Sequence, residues 1–411
     1  MEMTLANRGK SFLKSTSIRI LFFIFIANFF YDDPSLYLYK RIIYSIFIYI
    51  ASWELGKFYL EVNKNNFKMP IFFRVYLPLI FLSIIIGLVM DLNNPRLSWV
   101  TLINHPHALL TVTPIFIFAL GVYTDDKELD IFFVLLLIMS AAFILTFALP
   151  FFGKVKYYQG YICANAFIPL LILSIIKKKY QFLAVTLMIV SVYFSQISGY
   201  RIIFLRLILF SSLLISLVVV QKWGILKFII IAFTCFCMYQ FLANLEDLLY
   251  LFKGIIGVKD FDDDDTRGFL YEELFGDMKS HELIFGRGYL GTYFSEYFLM
   301  LIVRLHTYGD HFERFGVEVG FLHLILKGGY YYYILYVLPI LYAIIKGIFV
   351  DYTNKLIFYL SIYLLTEYLL MFIENIPYFS IQFSFIFYLS GYVIQRIHFD
   401  NLDKKNIKLS T

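Results

Sequence analysis

Residues 181–220 read QFLAVTLMIVSVYFSQISGYRIIFLRLILFSSLLISLVVV. Only Ser198-Gly199-Tyr200-Arg201 breaks the apolar run. A single helix of that length would rise about 60 Å, twice the roughly 30 Å of hydrocarbon in a bilayer. Two antiparallel spans, 181–199 and 201–220, joined by a tight turn, fit instead. In lipid, backbone polar groups must be satisfied within helices or a closed barrel. These runs are continuous rather than alternating, so helices are the expectation.

The same reading extends outward over the chain. Of its 411 residues, 60% are hydrophobic, 20% aromatic and 16% charged, with a mean hydropathy of +0.74. Soluble domains average about 45–50% apolar and about 25% charged residues, so lipid is the expected solvent. Further spans read at 42–60, 70–90, 107–123, 131–152, 160–176 and 224–245. Others follow at 316–345, 356–373 and 378–395. Arg8, Lys10, Lys14 and Arg19 precede the apolar Ile20–Tyr31, and the following Asp32 comes with no small-residue cleavage site, so an uncleaved first span is expected. The prediction is an all-α, polytopic integral membrane protein of roughly twelve spans. It divides into a membrane domain over 1–245, a large loop over 246–315 and the last three spans with a tail over 316–411.

Lys and Arg concentrate in alternate short connections, including Lys57, Lys64, Lys68, Lys177, Lys178, Lys179, Lys346 and Lys355. The positive-inside bias puts both termini in the cytoplasm and the 246–315 loop outside. This distribution also accounts for the net charge of +5 without a basic surface for nucleic acid. The loop is rich in Phe, Tyr, Leu and Ile, so interfacial helices are expected at Leu245–Val258 and Glu296–Leu305. Cys163, Cys235 and Cys237 lie in apolar runs and predict buried free thiols.

Chemistry is expected at that outer face. Arg201 and Arg206 open a span, and Arg267, Arg287, Arg304 and Arg314 lie in the loop. Arginine stays charged and grips phosphate with two parallel donors; loop arginines also pair with acids or reach lipid headgroups. Glu318 stands where the chain re-enters the apolar region, a costly place for a carboxylate unless it works or pairs with Arg314. His306 and His311 precede it and are candidate bases. Glu367 lies within an apolar run and needs a partner, a Tyr hydroxyl or an Arg. Asp262–Asp265 lack the spacing and glycine of a calcium loop. His105-Pro106-His107 alone is a weak metal signal. No metal site and no cofactor are expected. Walker A, Gly-x-Ser-x-Gly, His-Glu-x-x-His and Cys-x-x-Cys sequences are absent.

Three patches carry a resemblance: Ser198-Gly199-Tyr200-Arg201, Thr266-Arg267 through Phe285-Gly286-Arg287-Gly288, and Glu318 through Lys327-Gly328-Gly329. Together with the span pattern they resemble the O-antigen polymerases, which are related to the O-antigen ligases. The ligases usually carry a His-Asn pair where this chain has Glu318. The resemblance implies metal-independent, inverting glycosyl transfer on the outer face of a bacterial inner membrane. The donor would be an undecaprenyl-pyrophosphate-linked oligosaccharide and the acceptor a sugar hydroxyl. In that reading Arg201, Arg267, Arg287 and Arg314 hold the pyrophosphate, and Glu318 or His311 is the catalytic base. A chain-length regulator protein is a further implied partner. An O-antigen ligase, or a flippase of the lipid-linked oligosaccharide, is the alternative.

Reporter fusions at Lys178 and at Ser280 should read on opposite sides of the membrane, with Ser280 outside. Signals from the same side would overturn the topology.

Overall fold

The computed structural model describes residues 71–92, 201–243, 268–296, 313–350 (Phe315 excepted), 354–374 and 385–397, with isolated positions elsewhere. The spans expected before 70, most of those expected between 92 and 200, the helix expected at 245–258 and most of that at 296–305 lie outside the described residues. So do Arg267, Arg304, His306, His311 and Asp262–Asp265.

The described part is mostly helical. Helix α1 spans Ile71–Asp91, α2 Arg201–Val219 and α3 Gly224–Ala243. The last two are leucine- and isoleucine-rich segments without internal proline. Between them the chain turns at 220–223, where the Trp223 amide donates to the Val220 carbonyl at 2.8 Å. Two short helices follow in the loop, α4 over Gly268–Asp277 and α5 over Ser280–Phe285. A two-residue antiparallel pair joins β1, Tyr293–Phe294, to β2, Glu313–Arg314.

Helix α6 covers Gly320–Ile345 and continues as a π turn over Lys346–Val350. It breaks at Gly329, whose φ of 65° is left-handed. Among the described residues, Gly320–Val350 is the one helix long and apolar enough to cross a membrane by length and composition. From Tyr330 to Val350 it rises about 31 Å, close to the hydrocarbon thickness of a bilayer. Helix α7, Lys355–Leu370, is capped by Asn354, whose side chain accepts from the Ile357 amide at 3.4 Å. A last helix covers 385–397.

Contacts fix how these helices run. At one end, Lys227 Nζ on α3 donates to the Ile348 carbonyl at 2.7 Å, and Ser361 Oγ on α7 donates to the Ala343 carbonyl at 3.3 Å. At the other end, the Gly320 amide donates to Glu374 O at 3.1 Å and the Phe321 amide to Met371 O at 3.0 Å. The end of α1 meets the loop there as well. Thus α2 and α3 form an antiparallel pair, as do α6 and α7, and the 268–296 segment sits over the end where α6 begins.

The core is apolar, but several charged side chains are enclosed and many large apolar ones face outward. Arg206, Lys227, His323, Lys327, Thr366, Glu367 and Glu374 are buried, while Ile225, Phe228, Phe233 and Phe236 on α3 are more than half exposed. Charged residues are ordinarily the exposed class and large apolar ones the buried class. Cys235 and Cys237 are free thiols as expected, but exposed rather than buried. Helix α3 turns them outward with its phenylalanines. Cys163 lies outside the described residues.

The loop segment packs on protein. Leu270, Leu274 and Met278 form one apolar cluster with Tyr293, Val317, Val319, Leu322, Ile325 and Leu326. It is a second core, capping the first half of α6.

Gly286 (φ 75°) and Gly329 are where this cap meets the bend, backbone against backbone. A Cβ on Gly286 would strike Lys327 and Gly328, and one on Gly329 would strike Ile284 and Phe285. Left-handed backbone alone costs an L-residue roughly 1–2 kcal/mol. Gly329→Ala should therefore lower thermal stability in detergent by at least about 2 kcal/mol. Gly276→Ala, at a helical position with open space around it, should be neutral or slightly stabilising. Equal melting of the two variants would contradict this role for Gly329.

Candidate functional site

Three groups of charged side chains surround the start of α6. The first holds the turn after α5. Arg287 donates from its two terminal nitrogens to Asp277 Oδ2, the Asp277 carbonyl, Thr292 O at 2.9 Å and Glu282 Oε2 at 3.0 Å. Its amide donates to Leu326 O on α6 at 2.8 Å. Asp91, at the end of α1, accepts from the Tyr289 and Leu290 amides at 2.9 and 3.0 Å. Lys327 Nζ, buried on α6, donates to Gly291 O at 2.7 Å. Segments far apart in sequence thus converge on residues 286–291.

Electrostatics reinforce that turn. Burial pushes the Glu282 carboxyl up, but the Lys279 amide and the Arg287 guanidinium outweigh it and hold the group below its ordinary range. A carboxyl lowered in the folded state adds stability above its unfolded pKa and loses it as pH falls through the folded value. The anchorage of the turn is therefore complete at neutral pH and weakens in acid.

The second group is at the mouth of α6. Arg314 grips Glu318 with both terminal nitrogens, Nη1 at 3.0 Å from Oε2 and Nη2 against Oε1. Tyr293 Oη lies 3.3 Å from the same Arg314 Nη1. Burial raises the Tyr293 phenol to about 12 despite the neighbouring guanidinium, so it stays neutral. The Glu318 side chain is 46% exposed and that of Arg314 19%. Val317 and Val319 are buried on either side of Glu318, which pins the backbone while the carboxylate faces outward. Beneath it, His323 Nδ1 accepts from the Val317 amide at 3.4 Å.

The third group is interior. Arg206 Nε donates to Glu367 Oε1 at 3.0 Å, and Nη2 to Glu374 Oε2 at 2.7 Å. Arg206 is 1% exposed. Tyr363 adds a hydroxyl against Glu367. Because Glu374 O also accepts from the Gly320 amide, this cluster ties α2, α7 and the first residue of α6 together.

The residues singled out from sequence therefore separate. Arg314 and Glu318 are brought together. Arg287 stands in the adjoining turn with its fork turned to two carboxylates and two carbonyls. Arg201 begins α2. Arg267 and His311 lie outside the described residues. Glu367 has an arginine partner, Arg206. Asp91, Asp277, Glu282 and Lys327 are site-forming residues that the sequence reading passed over. Asp91 sits in Met90-Asp91-Leu92-Asn93-Asn94, which reads as an ordinary loop start. A signal was available for Lys327: a cation inside an apolar run calls for a partner.

Among the described residues, no group of three or more His, Cys, Asp or Glu is arranged to hold a metal ion. The chain matches no protein-family model, and comparison with curated proteins and with solved structures yields no relative.

Removing one member of a buried ion cluster leaves uncompensated charge and costs about 3–5 kcal/mol. Arg206→Met alone should therefore sharply reduce folded protein. Adding Glu367→Leu and Glu374→Leu to Arg206→Met should restore much of the yield. A single variant as stable as the parent would contradict the cluster's role.

Proposed function

We propose that the chain is a polytopic membrane glycosyltransferase that polymerises polysaccharide repeat units. It acts on the outer face of the bacterial inner membrane, with roughly twelve spans and cytoplasmic termini. The donor is an undecaprenyl-pyrophosphate-linked oligosaccharide. The observation that carries this reading is the partly exposed Arg314–Glu318 pair at the mouth of α6. It lies against a folded loop at the start of α6, whose second part is of bilayer length. Support for the membrane comes from the outward phenylalanines of α3, the buried charges and the alternating helix directions. O-antigen ligases share these needs, and the acceptor separates the two activities.

The pair has a chemistry of its own. The Glu318 carboxylate is nearly half exposed, so water can solvate it as a pyrophosphate displaces it from Arg314. Arg314 then meets the charge that develops on the leaving group. Glu318 is released as a carboxylate beside it. The acceptor hydroxyl oxygen attacks the anomeric carbon, the carbon–oxygen bond to pyrophosphate breaks, and the hydroxyl proton passes to Glu318 or to His311. Undecaprenyl pyrophosphate leaves. Arg201 and Arg267 complete the pyrophosphate clamp in this proposal. Arg287, whose two terminal nitrogens are engaged within its own turn, holds the loop in place instead.

A flippase is the second reading, favoured by the buried Arg206–Glu367–Glu374 cluster, since charges within a membrane commonly mark transport paths. Purified protein in detergent separates the two, because only an enzyme makes polymer without sealed compartments.

Arg314→Lys keeps the charge but loses the fork. It should leave protein levels intact and cut polymer by one to two orders of magnitude, on the order of 1.4–2.8 kcal/mol of transition-state stabilisation. Glu318→Gln should abolish polymer at every pH if Glu318 is the base, with His311→Ala tolerated; the opposite pattern assigns His311. Full activity in all three variants would remove the site from this position.

A further inference from the structure

The loop's shortest helix presents an apolar edge with a definite height. Ile284 and Phe285, the last residues of α5, are 51% and 37% exposed. Their backbone packs directly against Gly329 of α6. That glycine immediately precedes the stretch from Tyr330 to Val350, whose rise of about 31 Å matches the hydrocarbon layer. Ile284 and Phe285 are therefore level with the start of that bilayer-length stretch.

Below them the exposed surface continues without a break in character. Tyr330, Ile334, Leu338, Tyr342 and Ile345 are exposed along α6, at the three- and four-residue spacing of one helix face. The Phe285 ring stands 6.4 Å from that of Tyr331, and aromatic rings concentrate at the membrane–water boundary. At the other end of α5, Lys279 and His281 are exposed. A six-residue helix rises about 9 Å, so these two polar residues lie at the opposite end of α5 from Ile284 and Phe285.

We propose that α5 dips into the outer leaflet, with Ile284 and Phe285 seated among lipid acyl chains and Lys279 facing anionic headgroups. The occupant of this edge is bilayer lipid. The inference rests on the membrane reading above and deepens it. The 286–291 turn, and with it the Arg314–Glu318 pair across β1 and β2, is held at headgroup height. A lipid-linked pyrophosphate then reaches Arg314 while its polyprenyl chain stays in the bilayer.

The test is spin-label accessibility in vesicles of phosphatidylethanolamine and phosphatidylglycerol. The background is full-length protein with Cys163, Cys235 and Cys237 replaced by serine. Labels are placed through Ile284→Cys and Phe285→Cys, with Ile334→Cys as a lipid-facing reference and Glu272→Cys, exposed on α4, as a water-facing one. Molecular oxygen partitions into acyl chains and a neutral nickel chelate into water. Labels at 284 and 285 should be quenched more by oxygen than by nickel, as at 334, with 272 reversed. If 284 and 285 behave like 272 while 334 reads as lipid, the dipping helix is wrong and the membrane reading stands. If 334 itself reads as water, the membrane reading falls and takes the inference with it.

Discussion

The close packing of the 284–286 backbone on the 327–329 backbone is the point on which the described architecture turns. It brings two main chains closer than any side chain allows, at positions where both glycines are left-handed. One consequence is a bend in α6, which separates a first part that carries the loop from a second part of bilayer length. Another is the place of the loop: once α5 is fixed on the bend, Arg287 reaches Asp277 and Glu282, and Asp91 reaches the amides that follow. The apolar cluster of Leu270, Leu274 and Val319 then closes over the start of α6. Main-chain contact does not tolerate adjustment as a flexible side chain does, because packed backbone has no rotamers to try.

Within the described residues the long helices were legible because apolar run length is a direct physical signal. The expected 70–90, 201–220 and 224–245 spans correspond closely to Ile71–Asp91, Arg201–Val219 and Gly224–Ala243. The expected 316–345 span begins later, at Gly320, because Val317 and Val319 are drawn into the loop's core. Inside the loop, sequence was a poorer guide. Gly268–Asp277 is short, carries Glu272 and Glu273 among its apolar residues, and gains its order from packing on α6, which lies some fifty residues further on. Such long-range stabilisation leaves no local periodicity to read. The partnership of Arg314 with Glu318, only four residues apart, was within reach of sequence. That of Arg206 with Glu367 was not, since nothing local specifies which buried charges will meet.

Burial divides the charged groups by what they can do. Arg206 is enclosed by two carboxylates, and moving it would strand charge in a low-dielectric interior. Arg287 is half-enclosed, and both its terminal nitrogens are engaged by two acids and two carbonyls that hold the turn. Arg314 is equally well paired in geometry but faces a carboxylate that is nearly half exposed. Water offers that carboxylate an alternative, so the pair can open. Among these three described arginines, the one suited to exchanging partners is therefore identified by the exposure of its acid, rather than by its own distance or charge.

The same logic explains why a costly interior cluster lies so near an exchangeable one. Glu374 contributes its side chain to Arg206 and its carbonyl to the Gly320 amide. The buried cluster thereby fixes the first residue of α6 from below, while Tyr293 steadies Arg314 from above. Glu318 lies two residues before Gly320, between the two. In the proposed reaction Glu318 changes partners while its backbone stays fixed, and the rigid neighbours on both sides suit that role. Interior and surface charge divide the work here: the buried cluster fixes the start of α6, and the partly exposed pair stands at its rim.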